Sequence, residues 1–95
     1  MSGLSEKPRS KLRIYRDILK TVDNEGHAKP TKILYTANLS YERLNRYLNE
    51  LVSRGLLHEV DEEGGRYYEI TEDGRKLLRE ITKAINFVEG FGLDI

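Results

Sequence analysis

Apolar residues near the start of the chain recur at the spacing of an amphipathic helix. Ser10 can cap this first helix, which we expect to end near residues 23–26. Its apolar stripe comprises Leu12, Tyr15, Ile18, Leu19 and Val22. Residues 27–29, which follow, are too few for a helix and fit either a loop or one short edge strand.

Two further helices are separated by a turn of only two residues. Pro30 suits the first turn of the second helix because its missing N–H costs little there. Asn38 tolerates the left-handed conformation that ends a helix, and Ser40 can cap the third helix, which extends to about Arg54. With Leu39 buried in the turn, this order predicts a helix-turn-helix. The buried stripe of the third helix comprises Leu44, Leu48, Leu51 and Val52.

The remaining pattern predicts a β-hairpin and one last helix. Two β-prone runs, residues 56–60 and 66–70, lie on either side of a turn at residues 61–65 that contains two glycines. Thr71 can cap the last helix, whose apolar stripe comprises Leu77, Leu78, Ile81, Ala84, Ile85 and Val88. The fold class is therefore α+β and mainly helical. It is a winged helix-turn-helix with a three-helix core, a β-hairpin wing and a C-terminal helix.

Length and composition place these elements in one domain. The chain has 95 residues and no cysteine, so disulfides and Cys-based zinc sites are excluded. We expect a flexible tail at residues 1–9, the winged domain at residues 10–70, and a C-terminal helix and tail at residues 71–95. The start lacks the apolar segment of a signal peptide, which favours a cytoplasmic protein without membrane contact.

Charge is unevenly distributed although the net charge is zero. Residues 1–54 contain eleven Lys or Arg against six Asp or Glu, whereas residues 55–95 contain five against ten. Such asymmetry is typical of a nucleic-acid surface on the basic half, but an uneven split by chance explains it equally well.

The polar side of the third helix carries the residue types that read DNA. Arginine pairs with guanine and asparagine with adenine in the major groove. A solvated helix face is the alternative, although asparagine is a poor helix former. Lysines at the start of the second helix suit phosphates, as does an N-terminal arm of Lys7, Arg9, Lys11 and Arg13. The candidate DNA-binding residues are Lys29, Lys32, Ser40, Tyr41, Arg43, Asn45, Arg46, Asn49 and Arg66.

The order of elements and two motifs resemble the small archaeal winged helix-turn-helix DNA-binding proteins. The motifs are Ala37-Asn38-Leu39-Ser40-Tyr41 and Leu44-x-x-Tyr47-Leu48-x-x-Leu51, with Gly55-Leu56-Leu57 and Thr71-x-x-Gly74 following. The resemblance covers roughly residues 10–85. It implies binding of double-stranded DNA and a dimer formed through a C-terminal antiparallel coiled coil. Here the last helix is too short for a long coiled coil, and the wing, with Asp61, Glu62 and Glu63, is unusually acidic.

A homodimer formed by the last helix is therefore expected, through Leu78, Ile81, Ile85 and Val88. A winged domain covers only part of this stripe, which would leave Ile85 and Val88 facing water. The alternative is that residues 90–95 fold back and cover the stripe within one chain.

The function expected from these features is that of a transcriptional regulator whose helix at residues 40–54 reads the major groove. An architectural DNA protein of low specificity and a winged helix for protein–protein contact remain as alternatives. No catalytic motif, cofactor motif or metal-ligand spacing occurs, and His27 and His58 are far apart in sequence. We therefore expect no enzyme activity, no cofactor, no metal and no small-molecule substrate.

Overall fold

The computed structural model describes residues 9–95, which form four helices and one antiparallel hairpin. The predicted tail, including Lys7, lies almost entirely outside the described residues. The elements are α1 (Lys11–Glu25), α2 (Pro30–Ala37), α3 (Tyr41–Ser53), β1 (Leu57–Glu62), β2 (Gly65–Ile70) and α4 (Glu72–Gly90). This order confirms the predicted winged helix-turn-helix fold, in which β1 and β2 are the wing.

Side-chain caps define where three of the helices begin. The hydroxyls of Ser10, Ser40 and Thr71 each accept a hydrogen bond from the backbone N–H three residues later. Asn38 ends α2 in the left-handed conformation, with φ 53° and ψ 56°. Because these signals are local, the sequence predicted the helix starts and the turn between α2 and α3 correctly.

The wing is longer than its sequence pattern suggests. In the antiparallel register, Leu57 lies opposite Ile70 and Glu62 lies opposite Gly65. The predicted five-residue turn is therefore wrong, because only residues 63 and 64 connect the strands. Cross-strand hydrogen bonding extends into the acidic and glycine residues, and Gly65 accommodates it with a φ of 124°.

The short segment between α1 and α2 adds a single bridge to the wing. The N–H of Ala28 donates to the carbonyl oxygen of Tyr68 at 2.9 Å, and the N–H of Tyr68 donates to that of Ala28 at 2.8 Å. This bridge joins the wing to the helical part of the domain.

One hydrophobic core unites all four helices and both strands. Leu12 was expected in it but is 40% exposed, whereas Ile14 is buried. Helix α1 packs against both α2 and α4, so its buried side is wider than one stripe. The buried apolar residues are Ile14, Tyr15, Ile18, Leu19, Val22, Ala28, Ile33, Ala37, Leu39, Leu44, Leu48, Leu51, Leu57, Tyr68, Ile70, Ile81 and Ile85.

A glycine allows α4 to approach the base of the wing. A Cβ at Gly74 would overlap the carbonyl oxygen of Leu56 and would lie 2.8 Å from Cγ1 of Ile70. The Thr71 hydroxyl donates to the carbonyl oxygen of Gly55 at 2.7 Å and accepts from the N–H of Gly74 at 2.9 Å. The Thr71-x-x-Gly74 motif therefore fixes the start of α4 against the chain that enters β1.

The expectation that Ile85 faces water is wrong. Ile81 and Ile85 are 3% and 1% exposed, because α4 packs along α1 within the same chain. Neither residue is available at the surface for a dimer contact, while Leu78 and Val88 are half-buried.

The end of the chain folds back onto α1, as the alternative reading of residues 90–95 requires. The Arg13 guanidinium pairs with Glu89 at 2.6 Å and with Asp94 at 3.1 Å, and it also donates to the carbonyl oxygen of Ile95. The Ile95 side chain packs against the core. Phe87, Phe91 and Leu93 remain 69%, 69% and 63% exposed and form the apolar surface at this end of α4.

Candidate nucleic-acid interface

Helix α3 turns one apolar side to the core and one polar side to solvent. Its three central leucines are fully buried. Residues spaced by four, three and four positions share the opposite face of a helix. That outward face consists of Glu42, Arg46, Asn49 and Ser53, all of which are exposed.

Most of the candidate residues on α3 are accessible. Tyr41, Arg43, Arg46 and Asn49 are exposed, whereas Asn45 is half-buried beside the core. The Arg46 guanidinium lies 5.8 Å from the centre of the Tyr47 ring, which supports it on one side.

The hydroxyl of Ser40 is occupied as an acceptor, because it receives the N–H of Arg43 at 3.2 Å. Its own O–H can still donate to a phosphate oxygen. Ser40 therefore caps α3 and still has a hydroxyl hydrogen to donate at the start of this helix.

The arginines of α3 differ from the basic residues just before and within the first turn of α1. Within residues 9–95, neither Arg43 nor Arg46 forms an ion pair, so both keep their positive charge available. Arg9 pairs with Asp17 at 2.6 Å, Lys11 with Glu50 at 2.8 Å, and Arg13 with the C-terminal end. The expected N-terminal arm is thus engaged within the chain at its three described positions.

A short polar network fixes α3 against α1. The buried Tyr15 hydroxyl donates to Glu50, whose carboxylate also contacts Lys11. Burial, together with the hydrogen bond to Glu50, raises the pKa of Tyr15 to about 12. Hydrogen bonds from Lys11 and Tyr15 lower the pKa of the Glu50 carboxyl. The orientation of α3 is therefore set by the buried leucines and by this network.

The two lysines at the start of α2 lie beside the wing. The Lys29 ammonium is 5.7 Å from the centre of the Tyr67 ring, and the Lys32 ammonium is 3.9 Å from a Glu25 carboxylate oxygen. Both are exposed and border an open cavity of about 430 Å³. The cavity is lined by Glu25, His27, Lys29, Thr31, Lys32, Tyr35 and Tyr67.

Arg66 is the basic candidate on the wing itself. It is exposed, and its guanidinium lies 5.7 Å from the centre of the Tyr68 ring. Its cross-strand partner in the register is Asp61. An acidic residue therefore faces Arg66 across the hairpin and offsets its charge for any anionic partner.

Comparison with known proteins identifies the family. A model of the winged helix-turn-helix family matches residues 8–89. The chain belongs to the winged helix-turn-helix family. Two uncharacterised proteins of Methanocaldococcus jannaschii are 31% and 33% identical to it over 87 and 73 residues. These alignments cover 92% and 77% of the chain but 39% and 70% of the two relatives, so the chain spans well under half of the first.

Among solved structures, this winged helix-turn-helix chain is similar to an archaeal protein. It is similar to Sso10a-2, a DNA-binding protein from Sulfolobus solfataricus, with a TM-score of 0.81 and 32% identity. The match covers 87% of this chain and 85% of that one. The transcriptional regulator BldR from Sulfolobus solfataricus shares the fold, with a TM-score of 0.71 and 21% identity over 87% of this chain and 60% of that one.

One feature of this winged helix-turn-helix protein escaped the sequence reasoning. His27 was interpreted as a lone histidine, but its ring lies between Glu62 and Glu69 of the wing. No local signal predicts that contact, because it joins residues 35 and 42 positions apart.

None of the helices within residues 9–95 has the length and apolar character that crossing a membrane requires.

Proposed function

We propose that this chain binds double-stranded DNA, inserts α3 into the major groove and regulates transcription. The observation that carries the proposal is the pair Arg43 and Arg46 on the second helix of a helix-turn-helix, both exposed and without an ion pair to any residue in the range 9–95. In such motifs this helix contacts base edges. The proposal assigns base contacts to Arg43, Arg46 and Asn49, with Asn45 at the edge of the contact because it is half-buried.

Contacts to the DNA backbone are assigned to exposed groups at the starts of α2 and α3. Lys29 and Lys32 supply positive charge, while Ser40 and Tyr41 supply hydroxyl donors for phosphate oxygens. Arg66 adds a weaker contact from the wing. Similarity to Sso10a-2, which is described as a DNA-binding protein, supports this assignment at 32% identity.

Fluorescence anisotropy with a random-sequence DNA duplex tests the proposal. Affinity should fall steeply between about 50 mM and 200 mM salt, because phosphate binding releases counterions. The double variant Arg43→Ala/Arg46→Ala should lose most of the affinity while circular dichroism shows an intact fold. Arg79→Ala, at an exposed position on α4, is the matched control and should bind as the wild type does.

Wild-type binding by the double variant would contradict the assignment of α3. Selection of a preferred sequence from a pool of duplexes would separate a specific regulator from an architectural protein, which would enrich none.

We further propose that two copies associate through the exposed end of α4. The rings of Phe87 and Phe91 lie 5.2 Å apart on the solvent side of the helix, with exposed Leu93 following in sequence. Half-buried Leu78 and Val88 lie elsewhere on α4, and exposed apolar groups of this size favour association. A two-fold dimer would present two α3 helices to two half-sites.

Sedimentation equilibrium at micromolar concentration tests this association. The wild type should have the mass of a dimer, and Phe87→Glu should have the mass of a monomer. Asn86→Glu, which adds the same charge at the neighbouring exposed position, is the control. A monomeric wild type would rule out the dimer without affecting the assignment of α3.

A further inference from the structure

His27 joins the wing to the segment between α1 and α2 through both of its ring nitrogens. Nδ1 lies 3.0 Å from a carboxylate oxygen of Glu69, and Nε2 lies 3.1 Å from a carboxylate oxygen of Glu62. The ring also stacks on Tyr67, with the two ring centres 4.2 Å apart. We call the set of His27, Glu62, Glu69 and Tyr67 the histidine clamp.

The chemistry of the clamp requires a protonated imidazole. An ionised carboxylate only accepts hydrogen bonds, and a neutral imidazole has a single N–H to donate. With a carboxylate at each nitrogen of His27, both hydrogen bonds form only when both nitrogens carry a proton. In the neutral ring, one carboxylate would face a nitrogen lone pair and the contact would be repulsive.

The clamp contacts the wing at both of its ends. Glu62 is the last residue of β1, next to the turn, and Glu69 lies near the end of β2 at the base, so His27 contacts both strands. The next residue, Ala28, forms the two backbone hydrogen bonds with Tyr68. Loss of the clamp would therefore loosen the segment that joins the wing to the body.

We propose that His27 is a positioning residue that holds the acidic wing in place as an imidazolium and thereby makes DNA binding weaken as pH rises. This inference rests on the DNA-binding function proposed above. His27 itself need not touch DNA, since it acts through the wing and through the charge of its surroundings.

The surrounding charges determine the direction of the pH effect. In addition to the neutral Tyr67 hydroxyl, the ionisable groups near the ring come from α1, from the start of α2 and from the wing. They are Glu25, Lys29, Lys32, Glu62 and Glu69, with His58 directly across the hairpin from Glu69. The three carboxylates and two ammonium groups are balanced by one imidazolium. Loss of its proton leaves one net negative charge beside the lysines assigned to phosphates.

Histidine is the side chain whose charge normally changes between about pH 5 and pH 8. At the acidic end of this range the clamp is complete, and DNA affinity is highest. At the alkaline end one hydrogen bond is lost and negative charge repels the DNA backbone. We expect affinity to fall roughly three- to fivefold across this range at constant ionic strength, as for an exposed ion pair.

The first experiment examines the clamp without DNA. At about pH 6, proton NMR of the wild type should show both imidazole N–H signals of His27. Hydrogen exchange of the Ala28 and Tyr68 amides should be slower in the wild type than in His27→Phe, which keeps an aromatic ring but lacks both donors. That difference should disappear near pH 8. A single N–H signal, or equal exchange in both proteins at about pH 6, would overturn the clamp.

The second experiment measures DNA affinity by anisotropy from about pH 6 to pH 8. The wild type should show the expected decline, and His27→Phe should show little of it. Glu63→Gln removes a negative charge from a wing residue that is outside the clamp, and it should keep the decline. His58→Gln should also keep it.

The two proposals fail in different ways. A wild type that binds no duplex at any pH would refute the proposed function while the exchange data still report on the clamp. Binding with an equal pH decline in wild type and His27→Phe would refute the role of His27 and leave DNA binding intact.

Discussion

Helix α3 and the wing are both anchored in the core but are charged in opposite ways. Three fully buried leucines and the buried Tyr15 hydroxyl fix α3, and its exposed arginines carry no ion pairs within the described residues. The wing is held by its buried residues Leu57, Tyr68 and Ile70, by the Ala28 bridge and by His27. Its exposed acidic residues outnumber the single Arg66 near the tip.

This difference explains how a chain of zero net charge can present a basic surface. Net charge summarises the whole molecule, but a polyanion responds to the local field of the surface that it approaches. On α3, the exposed Arg43 and Arg46 outnumber Glu42, which is the one exposed acidic residue of that helix. On the wing the balance is reversed. Under the proposed function the two elements therefore contribute unequally, because α3 would provide the contact with DNA and the wing would limit it.

The largest expected effect concerns how firmly the base of the wing is fixed. Gly74→Ala should reduce the free energy of unfolding by about 3 kcal/mol, because the new methyl group overlaps the Leu56 carbonyl and backbone must move. Urea denaturation followed by circular dichroism measures it. Gly90→Ala in the same helix meets open space and should be neutral or slightly stabilising. Equal stabilities for the two variants would mean that the backbone near Leu56 moves away from residue 74 at little cost in free energy.

Matched arginine truncations compare the two elements directly as DNA contacts. Arg46→Ala should weaken binding to a preferred duplex by about 1–3 kcal/mol, as expected for an arginine that pairs with a base. Arg66→Ala should cost less than about 0.5 kcal/mol, since Asp61 faces it across the hairpin. Anisotropy titrations of both variants against one duplex give the two values. A greater loss for Arg66 would reverse the roles assigned to α3 and the wing.

The support of α3 by Tyr15 predicts a loss of stability at alkaline pH. The pKa of Tyr15 is raised from 10.0 in the unfolded chain to about 12 in the native protein. The resulting stabilisation is complete below the unfolded pKa and is lost as pH rises through the native one. Urea denaturation should show that the wild type loses about 2 kcal/mol more than Tyr15→Phe between pH 10 and pH 12. Tyr35→Phe, at an 84% exposed position, should behave as the wild type does.

The sequence predicted those features whose causes are local. Ser10, Ser40 and Thr71 cap their helices through residues three positions away, and Asn38 adopts its left-handed conformation within the turn. These signals were sufficient to predict the order of the helices and strands and to identify α3 as the second helix of the helix-turn-helix.

Features that depend on distant contacts could not be predicted in this way. Burial of Ile85 requires knowing that α4 packs along α1, and the engagement of Arg13 depends on residues 76 to 82 positions away. The His27 contacts are equally remote in sequence. Helical periodicity identifies an apolar stripe but does not determine which neighbour covers it, so the same stripe predicted a dimer surface where the structure has a core.

The smallest expected effect tests whether the wing limits DNA binding through its charge. Glu63 lies in the two-residue turn, is exposed and has no contact with His27, so Glu63→Gln changes charge without disturbing the clamp. Affinity at low salt should rise by about 0.3–0.5 kcal/mol, and the gain should vanish near 1 M salt, where the Debye length is about 3 Å. Anisotropy titrations across a salt series measure the gain. Glu80→Gln, an equal change at an exposed position of α4, should leave affinity unchanged. If Glu63→Gln weakens binding instead, the carboxylate contributes a favourable contact and the wing takes part in recognition.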